Sequence, residues 1–252
     1  MRNPIYAIYE RRLWRQIKNG PYPHHIGIIM DGNRRFALKI GLPPHLGHKY
    51  GVEKLREVLR WCWELDVDCV TLYTFSSENF DRSNLEVDTI MDLACENFLK
   101  LADEPEIHEK KVRVKAIGRR KRLPLNLQEA IQHAEEATKH YTERTIQVAI
   151  SYGGREEIID AVRKIVQLSH EKGIAIETID EDLFASYLYT NGTPDPDLII
   201  RTSGEERLSG FMLWQTAYSE LVFLDVFWPL MRKIDLWRAI RIYQQREKRY
   251  GR

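Results

Sequence analysis

The stretch IGIIMDGNRRFALKIGLPPHLGHKYG, from Ile26 to Gly51, decides the predicted fold. A short apolar run ends abruptly at Met30, and Asp31, Gly32 and Asn33 follow it. Strand interiors disfavour aspartate, glycine and asparagine, so we predict a strand that stops at Met30 and a helix that begins near Asn33. The polar residues after the strand are then either an ordinary turn or a site built on the end of the strand.

The composition is that of a folded protein. The chain has 252 residues, of which 43% are hydrophobic and 30% are charged. It shows no internal repeat, low-complexity tract or Gly/Ser linker, so we predict a single domain over residues 1–252. The formal net charge of +1 argues against a general nucleic-acid-binding protein, because such domains are usually strongly basic.

Cysteine usage and hydropathy indicate the compartment. Cys62, Cys69 and Cys95 are odd in number and two of them lie in apolar periodic stretches, so we expect reduced core residues. No apolar run approaches the roughly 20 residues that span a bilayer, and the charged N-terminus lacks a signal-peptide pattern. We expect a cytoplasmic protein, either free or peripheral at a membrane.

Short apolar runs alternate with helical patterns along the chain. The runs predict six strands, at Ile26–Met30, Cys69–Phe75, Val112–Ile117, Gln147–Tyr152, Leu198–Arg201 and Leu221–Leu224. Helical spacing of apolar residues predicts helices over Val52–Cys62, Ala130–Ala137 and Ile158–Val166, and a last helix from about Asp235 to Tyr250 with Asp235 as N-cap. This alternation predicts an α/β sandwich, in which helices flank a mostly parallel six-stranded sheet and ligands bind beyond the carboxyl ends of the strands.

Two further helices differ from ordinary surface helices. Between Asn84 and Leu101 apolar residues occur on more than one face, which indicates either a helix buried in the core or the wall of an elongated apolar cavity. In the first 22 residues, apolar positions such as Leu13 and Ile17 alternate with arginines. This pattern predicts an amphipathic basic helix, which packs on the domain or lies on a membrane surface, and packing is the favoured interpretation.

Charged and polar residues follow three of the predicted strands. The first group begins at Asp31, the second lies in Thr71–Arg82 and the third in Pro194–Ser209. Four arginines of these groups have planar guanidinium groups that suit phosphate oxygens at the predicted strand ends: Arg35, Arg82, Arg201 and Arg207. A carboxylate that stays ionised among cations and phosphates suggests Mg²⁺, which takes one or two carboxylates plus substrate phosphate. The residues alone predict an α/β protein for two phosphate-bearing ligands, with apolar volume nearby.

Five sequence blocks carry a resemblance to a known family. They are HIGIIMDGNRRFA, GHKYGVEKL, TLYTFSSENFDRS, SYGGREEIIDA and PDPDLIIRTSGEERLSGFMLWQTAYSELVFLDVFWP. With them the chain resembles the cis-prenyltransferases, the family of undecaprenyl and dehydrodolichyl diphosphate synthases, and its NRR form is similar to archaeal and eukaryotic members. The resemblance implies a long hydrophobic cleft, a homodimer, and condensation of isopentenyl diphosphate onto an allylic prenyl diphosphate with formation of a Z double bond, giving a polyprenyl diphosphate.

The resemblance also implies roles for individual residues. It implies Mg²⁺ binding by Asp31 and Glu220, the latter often from the neighbouring subunit, and a catalytic part for Asp31, Ser76 and Asn79. Substrate-binding positions implied by the same blocks are Gly32, Asn33, Arg34, Arg35, Phe36, His48, Phe80, Arg82, Arg201, Arg207 and Ser209. Within this set the resemblance assigns Arg201, Arg207 and Ser209 to isopentenyl diphosphate.

Two positions depart from patterns that are common in the family. Pro44 stands where family members commonly carry an arginine three residues before the Gly47-His48 pair, while Arg34 stands where bacterial members have glycine. The choice of primer and acceptor therefore stays open between chain elongation and prenyl transfer to a non-isoprenoid acceptor. A third hypothesis is a non-catalytic partner subunit, which the intact set of site residues disfavours.

Overall fold

The computed structural model describes residues 4–173 and 175–246. The described strands are, in chain order, β1 (His25–Ile29), β2 (Cys69–Ser76), β3 (Val112–Ile117), β4 (Arg144–Tyr152), β5 (Leu198–Thr202) and β6 (Glu220–Leu224). The described α-helices are α1 (Pro4–Ile17), α2 (Asn33–Lys39), α3 (Gly47–Trp63), α4 (Asn84–Asp103), α5 (Pro105–Glu109), α6 (Leu125–Thr138), α7 (Gly154–Lys172), α8 (Glu181–Ser186) and α9 (Lys233–Gln245). None of these helices is both long and apolar enough to span a membrane.

The six strands form one sheet in the order β3-β4-β2-β1-β5-β6. The pairs β1–β5, β5–β6 and β3–β4 are parallel. Every residue of β1 and β5 is buried, as expected for parallel strands that helices cover on both faces. The predicted α/β fold with a mostly parallel six-stranded sheet is therefore confirmed.

Contacts divide the described chain into two compact units. The first unit comprises residues 4–70, 196–206 and 219–246, and it contains β1, β5, β6, α1, α2, α3 and α9. The second unit comprises residues 71–173, 175–195 and 207–218, and it contains β3, β4, most of β2 and the helices α4 to α8. The single domain expected from the sequence stays a prediction.

In the first unit, α1 packs on α9. Leu13 and Ile17 are buried, the rings of Trp14 and Trp237 lie 5.1 Å apart, and the guanidinium of Arg238 lies 5.1 Å from the ring of Tyr9. The amphipathic helix predicted over residues 1–22 thus packs on its own unit, but it ends at residue 17, and residues 1–3 lie outside the described range. Its contact with a membrane stays a prediction.

In the second unit, α4 is not buried on all sides. Ile90, Met91 and Phe98 are buried, whereas Leu85 and Leu99 are 62% and 46% exposed. The predicted core helix thus has one apolar face that packs into the unit, and Leu85 and Leu99 lie outside that face. Of its other apolar residues, Ala102 is also buried, and Val87, Leu93 and Leu101 are partly exposed.

The last helix begins earlier than predicted. Asp235 is not its N-cap, because α9 already begins at Lys233 and the Asp235 carboxylate accepts a hydrogen bond from the Arg232 amide at 3.1 Å. Asp235 thus caps the helix from inside the first turn. The described helix ends at Gln245, and the predicted end at Tyr250 lies outside the described residues.

Two smaller predictions have mixed outcomes. On α7 the predicted apolar stripe is partly wrong: Ile165 is buried, but Val162 and Val166 are 43% and 50% exposed, because Ala161 occupies the buried face instead. Strand β4 begins at Arg144, three residues before the predicted Gln147, because its polar first residues still pair with β3.

The predicted core cysteines are confirmed in part. Cys62 and Cys69 are buried and form no disulfide among the described residues, and burial raises the pKa of Cys62 to about 12. Cys95 is a half-buried free thiol. Cys62 therefore contributes to packing in its neutral form.

Candidate active site

The first strand ends directly in the candidate site. Asp31 lies just beyond β1, and its backbone carbonyl accepts hydrogen bonds from Thr202 Oγ1 at 2.7 Å and from the Trp228 amide at 3.0 Å. Thr202 ends β5, which is the parallel neighbour of β1. Two elements of the first unit thus fix the main chain at Asp31, so its carboxylate has a defined place at the carboxyl end of the sheet.

Cations surround the Asp31 carboxylate. Arg201 Nη2 donates to Oδ2 at 2.9 Å, the Gly32 amide donates to Oδ1 at 2.6 Å, and Arg35 Nη2 lies 3.5 Å from Oδ1. Partial burial raises the pKa of Asp31, but the Arg201 hydrogen bond and charge, the Arg35 charge and the Gly32 amide outweigh it and hold the pKa below its usual range. The carboxylate is therefore ionised at neutral pH.

Gly32 allows the chain to turn sharply beside this carboxylate. Its φ of +103° lies in the region that favours glycine. A Cβ at this position would lie 2.9 Å from Phe227 Cδ1 and 3.0 Å from Ser203 Cβ, which leaves no room for a side chain. The turn places the start of α2, and with it Arg35, next to Asp31.

Arg35 lies between acidic, hydroxyl and aromatic partners. Its guanidinium donates to Glu205 Oε1 at 3.0 Å and to Ser203 Oγ, and it lies 5.7 Å from the centre of the Phe227 ring. The Arg35 side chain is 43% exposed, so an anion can reach it from solvent. Glu205 and Phe227 were missed by the sequence reasoning. The acidic pair Glu205-Glu206 among arginines was an available signal for Glu205, whereas nothing in the local pattern marked Phe227.

Asn33 turns its side chain inward. Its Nδ2 donates to the Met30 carbonyl at 3.1 Å. A Cβ at Gly47 would lie 2.0 Å from the Asn33 carbonyl oxygen, and one at Gly51 would lie 2.4 Å from Asn33 Oδ1. Asn33 therefore fixes the close contact between α2 and the start of α3, where His48 is the second residue.

The two remaining α2 positions of the predicted site differ in environment. Arg34 lies on the exposed side of the helix. Phe36 is 8% exposed, and its ring lies 5.3 Å from that of Tyr50, so it packs in the core of the first unit. A contact of Phe36 with substrate stays a prediction.

In the second unit, β2 ends in a folded loop. Asn79 Oδ1 accepts from the Ser76 amide at 3.0 Å, and the Ser76 side chain accepts from the Asn79 amide, which is a capping box. The ring of Phe80 packs edge-on to Phe75 at 4.8 Å. Ser76 and Asn79 thus shape the loop through main-chain contacts, and the catalytic part that the resemblance implies for them stays a prediction.

Two arginines of the second unit, Arg82 and Arg122, lie beside this loop. Arg82 Nη1 donates to Glu86 Oε1 at 2.8 Å, and the Glu86 side chain is buried. The Arg122 guanidinium lies 4.5 Å from the centre of the Phe80 ring. Arg207 and Ser209 lie on the segment 207–218 of the same unit, where Ser209 has a φ of +50°.

Glu220 lies away from Asp31 within the first unit. It is the first residue of β6 and pairs in register with Leu198, whereas Arg201 pairs with Phe223 three residues later. Three strand residues span about 10 Å. Glu220 Oε2 accepts from Arg246 Nη1 at 2.5 Å. The structure therefore brings together Asp31, Gly32, Arg35 and Arg201 but leaves Glu220 at the opposite end of its strand.

The site fits a metal that arrives with substrate. Among the described residues no group of three or more His, Cys, Asp or Glu side chains could hold a metal by itself. One ionised carboxylate between two arginines matches Mg²⁺, which usually keeps several waters and binds through one or two carboxylates plus substrate phosphates. Asp31 is the residue that would hold it. Fold and site together define a parallel α/β protein for phosphate-bearing ligands.

Comparisons with known proteins narrow this class. The family model Prenyltransf, undecaprenyl diphosphate synthase, matches residues 29–251. The chain is 53% identical over 249 residues to the tritrans,polycis-undecaprenyl-diphosphate synthase (geranylgeranyl-diphosphate specific) of Methanopyrus kandleri, covering 99% of this chain and 92% of the relative. It is 48% identical over 253 residues to an isoprenyl transferase of Thermus thermophilus, covering 99% and 96%.

A solved structure agrees with these sequence relatives. Lavandulyl diphosphate synthase from Lavandula x intermedia, crystallised in complex with dimethylallyl diphosphate, matches with a TM-score of 0.87 and 33% identity, over 92% of this chain and 99% of the other. The chain belongs to the undecaprenyl diphosphate synthase family of cis-prenyltransferases. The resemblance predicted from the sequence blocks, including its archaeal character, is thereby confirmed.

Proposed function

We propose that the protein joins isopentenyl diphosphate to an allylic prenyl diphosphate and releases inorganic diphosphate. In each cycle a carbon–carbon bond forms between the primer and the double bond of isopentenyl diphosphate, the allylic carbon–oxygen bond breaks, and a proton is lost as a Z double bond forms. The observation that carries the proposal is the ionised Asp31 between Arg35 and Arg201 at the carboxyl end of the sheet.

The allylic diphosphate binds at the start of α2 in this proposal. Arg35 is exposed and points its guanidinium toward Asp31, so it can exchange its contact with Glu205 for diphosphate oxygens. Asp31 would hold Mg²⁺ together with the same diphosphate. When bound, Mg²⁺ neutralises the negative charge that develops on the leaving diphosphate. Arg35 contributes a positively charged donor to that charge, which is electrostatic catalysis.

Isopentenyl diphosphate binds at the segment 207–218 of the second unit in this proposal. We assign its diphosphate to Arg207 and Ser209, which the sequence resemblance implies as two of its ligands. Ser76 and Asn79 maintain the loop that carries Phe80 and Arg82, and their capping box supports a role in shaping the reaction site. Holding both substrates in one orientation supplies much of the rate enhancement, because a bimolecular encounter becomes an intramolecular step.

The primer is geranylgeranyl diphosphate in this proposal. Relatives from Methanopyrus kandleri, Methanocaldococcus jannaschii and Pyrococcus horikoshii, 49% to 53% identical, are named as specific for it. The product is then a polyprenyl diphosphate. The exposed apolar residues of α4, among them Leu85 and Leu99, support a role of that helix as the wall of a cleft for the growing chain.

We further propose a cytoplasmic homodimer in peripheral contact with a membrane. Glu220 is the first residue of β6 and lies at the opposite end of the strand from Asp31. If both carboxylates bind the same Mg²⁺, Glu220 must therefore come from a second copy of the chain. The exposed face of α1 carries Arg11, Arg12 and Arg15, which suits anionic lipid headgroups. This contact would allow the insoluble polyprenyl product to pass directly into the bilayer.

Binding of a non-reactive primer analogue tests the assignment of the allylic site. Calorimetry with geranylgeranyl thiodiphosphate and Mg²⁺ compares wild type, Arg35→Ala and the control Arg56→Ala, which alters an exposed arginine on α3. We expect Arg35→Ala to weaken binding about 10- to 100-fold, the loss of a charge-assisted bidentate contact. Equal affinity of all three proteins would refute the assignment.

A further inference from the structure

The segment that carries Arg207 and Ser209 contains an unusual turn. Ser209 has a φ of +50° and Gly210 one of +76°, so two consecutive residues adopt the left-handed conformation. Serine rarely adopts this conformation, and such backbone persists only where the surroundings hold it in place. The groups that hold this turn therefore also fix the direction of the Ser209 side chain.

Tyr73 and Gly154 are the groups that hold it. The Tyr73 hydroxyl donates to the Ser209 carbonyl at 3.1 Å, and its ring stacks on Phe211 at 4.7 Å with an interplanar angle of 18°. The Gly154 amide donates to the Gly210 carbonyl at 2.8 Å. A Cβ at Gly154 would lie 2.5 Å from that carbonyl oxygen, so the close approach requires glycine.

Tyr73 is a rigid anchor for the turn. It lies on β2, it is 9% exposed, and its ring packs edge-on to Tyr152 at 5.9 Å. Its hydroxyl has one proton, and the Ser209 carbonyl at 3.1 Å is a closer acceptor than the Tyr152 carbonyl at 3.4 Å. The hydroxyl thus connects a buried strand directly to the main chain of the proposed binding segment.

We propose that Tyr73 is a positioning residue for isopentenyl diphosphate, acting through the Ser209 turn. The proposal rests on the proposed function, in which Arg207 and Ser209 bind that diphosphate. Without the hydroxyl, the Ser209 carbonyl loses the donor that holds the left-handed turn, and the Ser209 side chain and the Arg207 guanidinium shift together. The allylic diphosphate is bound by other residues in the proposal, so its binding is unaffected.

The test separates the two substrates. Tyr73→Phe removes the hydroxyl and keeps the stacked ring, and Tyr141→Phe is the control, because it removes a hydroxyl that lies 3.0 Å from His108 in the same unit. For Tyr73→Phe we expect the KM for isopentenyl diphosphate to rise roughly 3- to 10-fold, because one buried hydrogen bond is lost. We expect the KM for the allylic primer to change less than about 2-fold. We expect Tyr141→Phe to leave both KM values unchanged.

A second variant reaches the same turn from its other side. Gly154→Ala places a methyl group against the Gly210 carbonyl, and we expect the same selective rise in the KM for isopentenyl diphosphate. Equal changes in both KM values, or an unchanged KM for isopentenyl diphosphate in folded Tyr73→Phe, overturn the proposal.

Failure of the proposed function gives a different result. A wild type that incorporates no isopentenyl diphosphate refutes chain elongation, and the role of Tyr73 is then decided by calorimetric Kd values for isopentenyl diphosphate. A Kd raised by the same factor in Tyr73→Phe supports the positioning role. Equal Kd values, or no binding by wild type, contradict it.

Discussion

Asp31→Asn is the substitution that most sharply separates catalysis from folding. The change keeps the shape of the side chain and removes its charge. In the structure the carboxylate accepts from Arg201 at 2.9 Å and lies 3.5 Å from Arg35, and the Arg201 side chain is only 5% exposed. A hydrogen bond to a charged group contributes about 1.5–3 kcal/mol, and the asparagine side chain still offers an oxygen acceptor to the charged Arg201, so only part of this contribution is lost.

Two magnitudes follow from this geometry. The loss of charge costs about 1–2 kcal/mol of folding free energy, which lowers Tm by about 2–8 °C in a chain of this length. The loss of the proposed Mg²⁺ ligand lowers kcat by about 10²- to 10³-fold, the usual effect of removing one group that stabilises transition-state charge. We therefore expect a folded protein that has lost most of its turnover.

The assay combines melting curves with steady-state turnover at saturating Mg²⁺ and substrate. The control is Asp225→Asn, which neutralises an exposed aspartate just after β6 and should leave kcat within about 2-fold. Near-normal kcat for Asp31→Asn would refute the metal assignment. A Tm loss far above 8 °C would show that Asp31 stabilises the fold more than its hydrogen bonds account for.

Three further predictions concern the same unit. The pKa of Asp31 is lowered in the folded protein, so its contribution to folding stability should be complete above the unfolded pKa of about 3.9 and should be lost as the pH falls through the folded pKa. Urea unfolding should therefore give free energies of unfolding for wild type and Asp31→Asn that converge in that pH window. Gly47→Ala, whose Cβ would overlap the Asn33 carbonyl, should cost about 1–3 kcal/mol in the same assay, whereas exposed Lys49→Ala costs under about 0.5 kcal/mol. EDTA should abolish turnover, and added Mg²⁺ should restore it. Without substrate, EDTA should leave Tm unchanged, because Mg²⁺ binds together with the substrate diphosphate; a large fall in Tm on addition of EDTA would contradict this.

The fold could be predicted because strand and loop signals are local. Each predicted strand is confirmed to within three residues, since β1 and β5 are buried on both faces and read as continuous apolar runs. The boundaries were less predictable where polar residues pair inside a strand, as at Arg144 in β4. The cap of α9 was mispredicted because an aspartate can accept main-chain hydrogen bonds as an N-cap or from the first turn.

Only the residue types of the site could be predicted from the sequence, and not the contacts that hold them in place. Asp31 and the arginines stand out in sequence because they follow apolar runs, and parallel strands bring Arg201 to Asp31. The partners that fix them are distant in sequence: Phe227 follows β6 and still lies under Arg35. Tyr73 lies in an apolar run of β2, where the sequence pattern predicts a core residue. Its contact with Ser209 is therefore visible only in the structure.

Incorporation of labelled isopentenyl diphosphate tests the central claim most directly. Parallel reactions contain Mg²⁺ and allylic primers of five, ten, fifteen or twenty carbons, and the products are sized after dephosphorylation. We predict a ladder of elongated products that is most intense with the twenty-carbon primer. Folded protein that incorporates no isopentenyl diphosphate with any primer would contradict the account, and would point instead to a different acceptor or to a partner-subunit role.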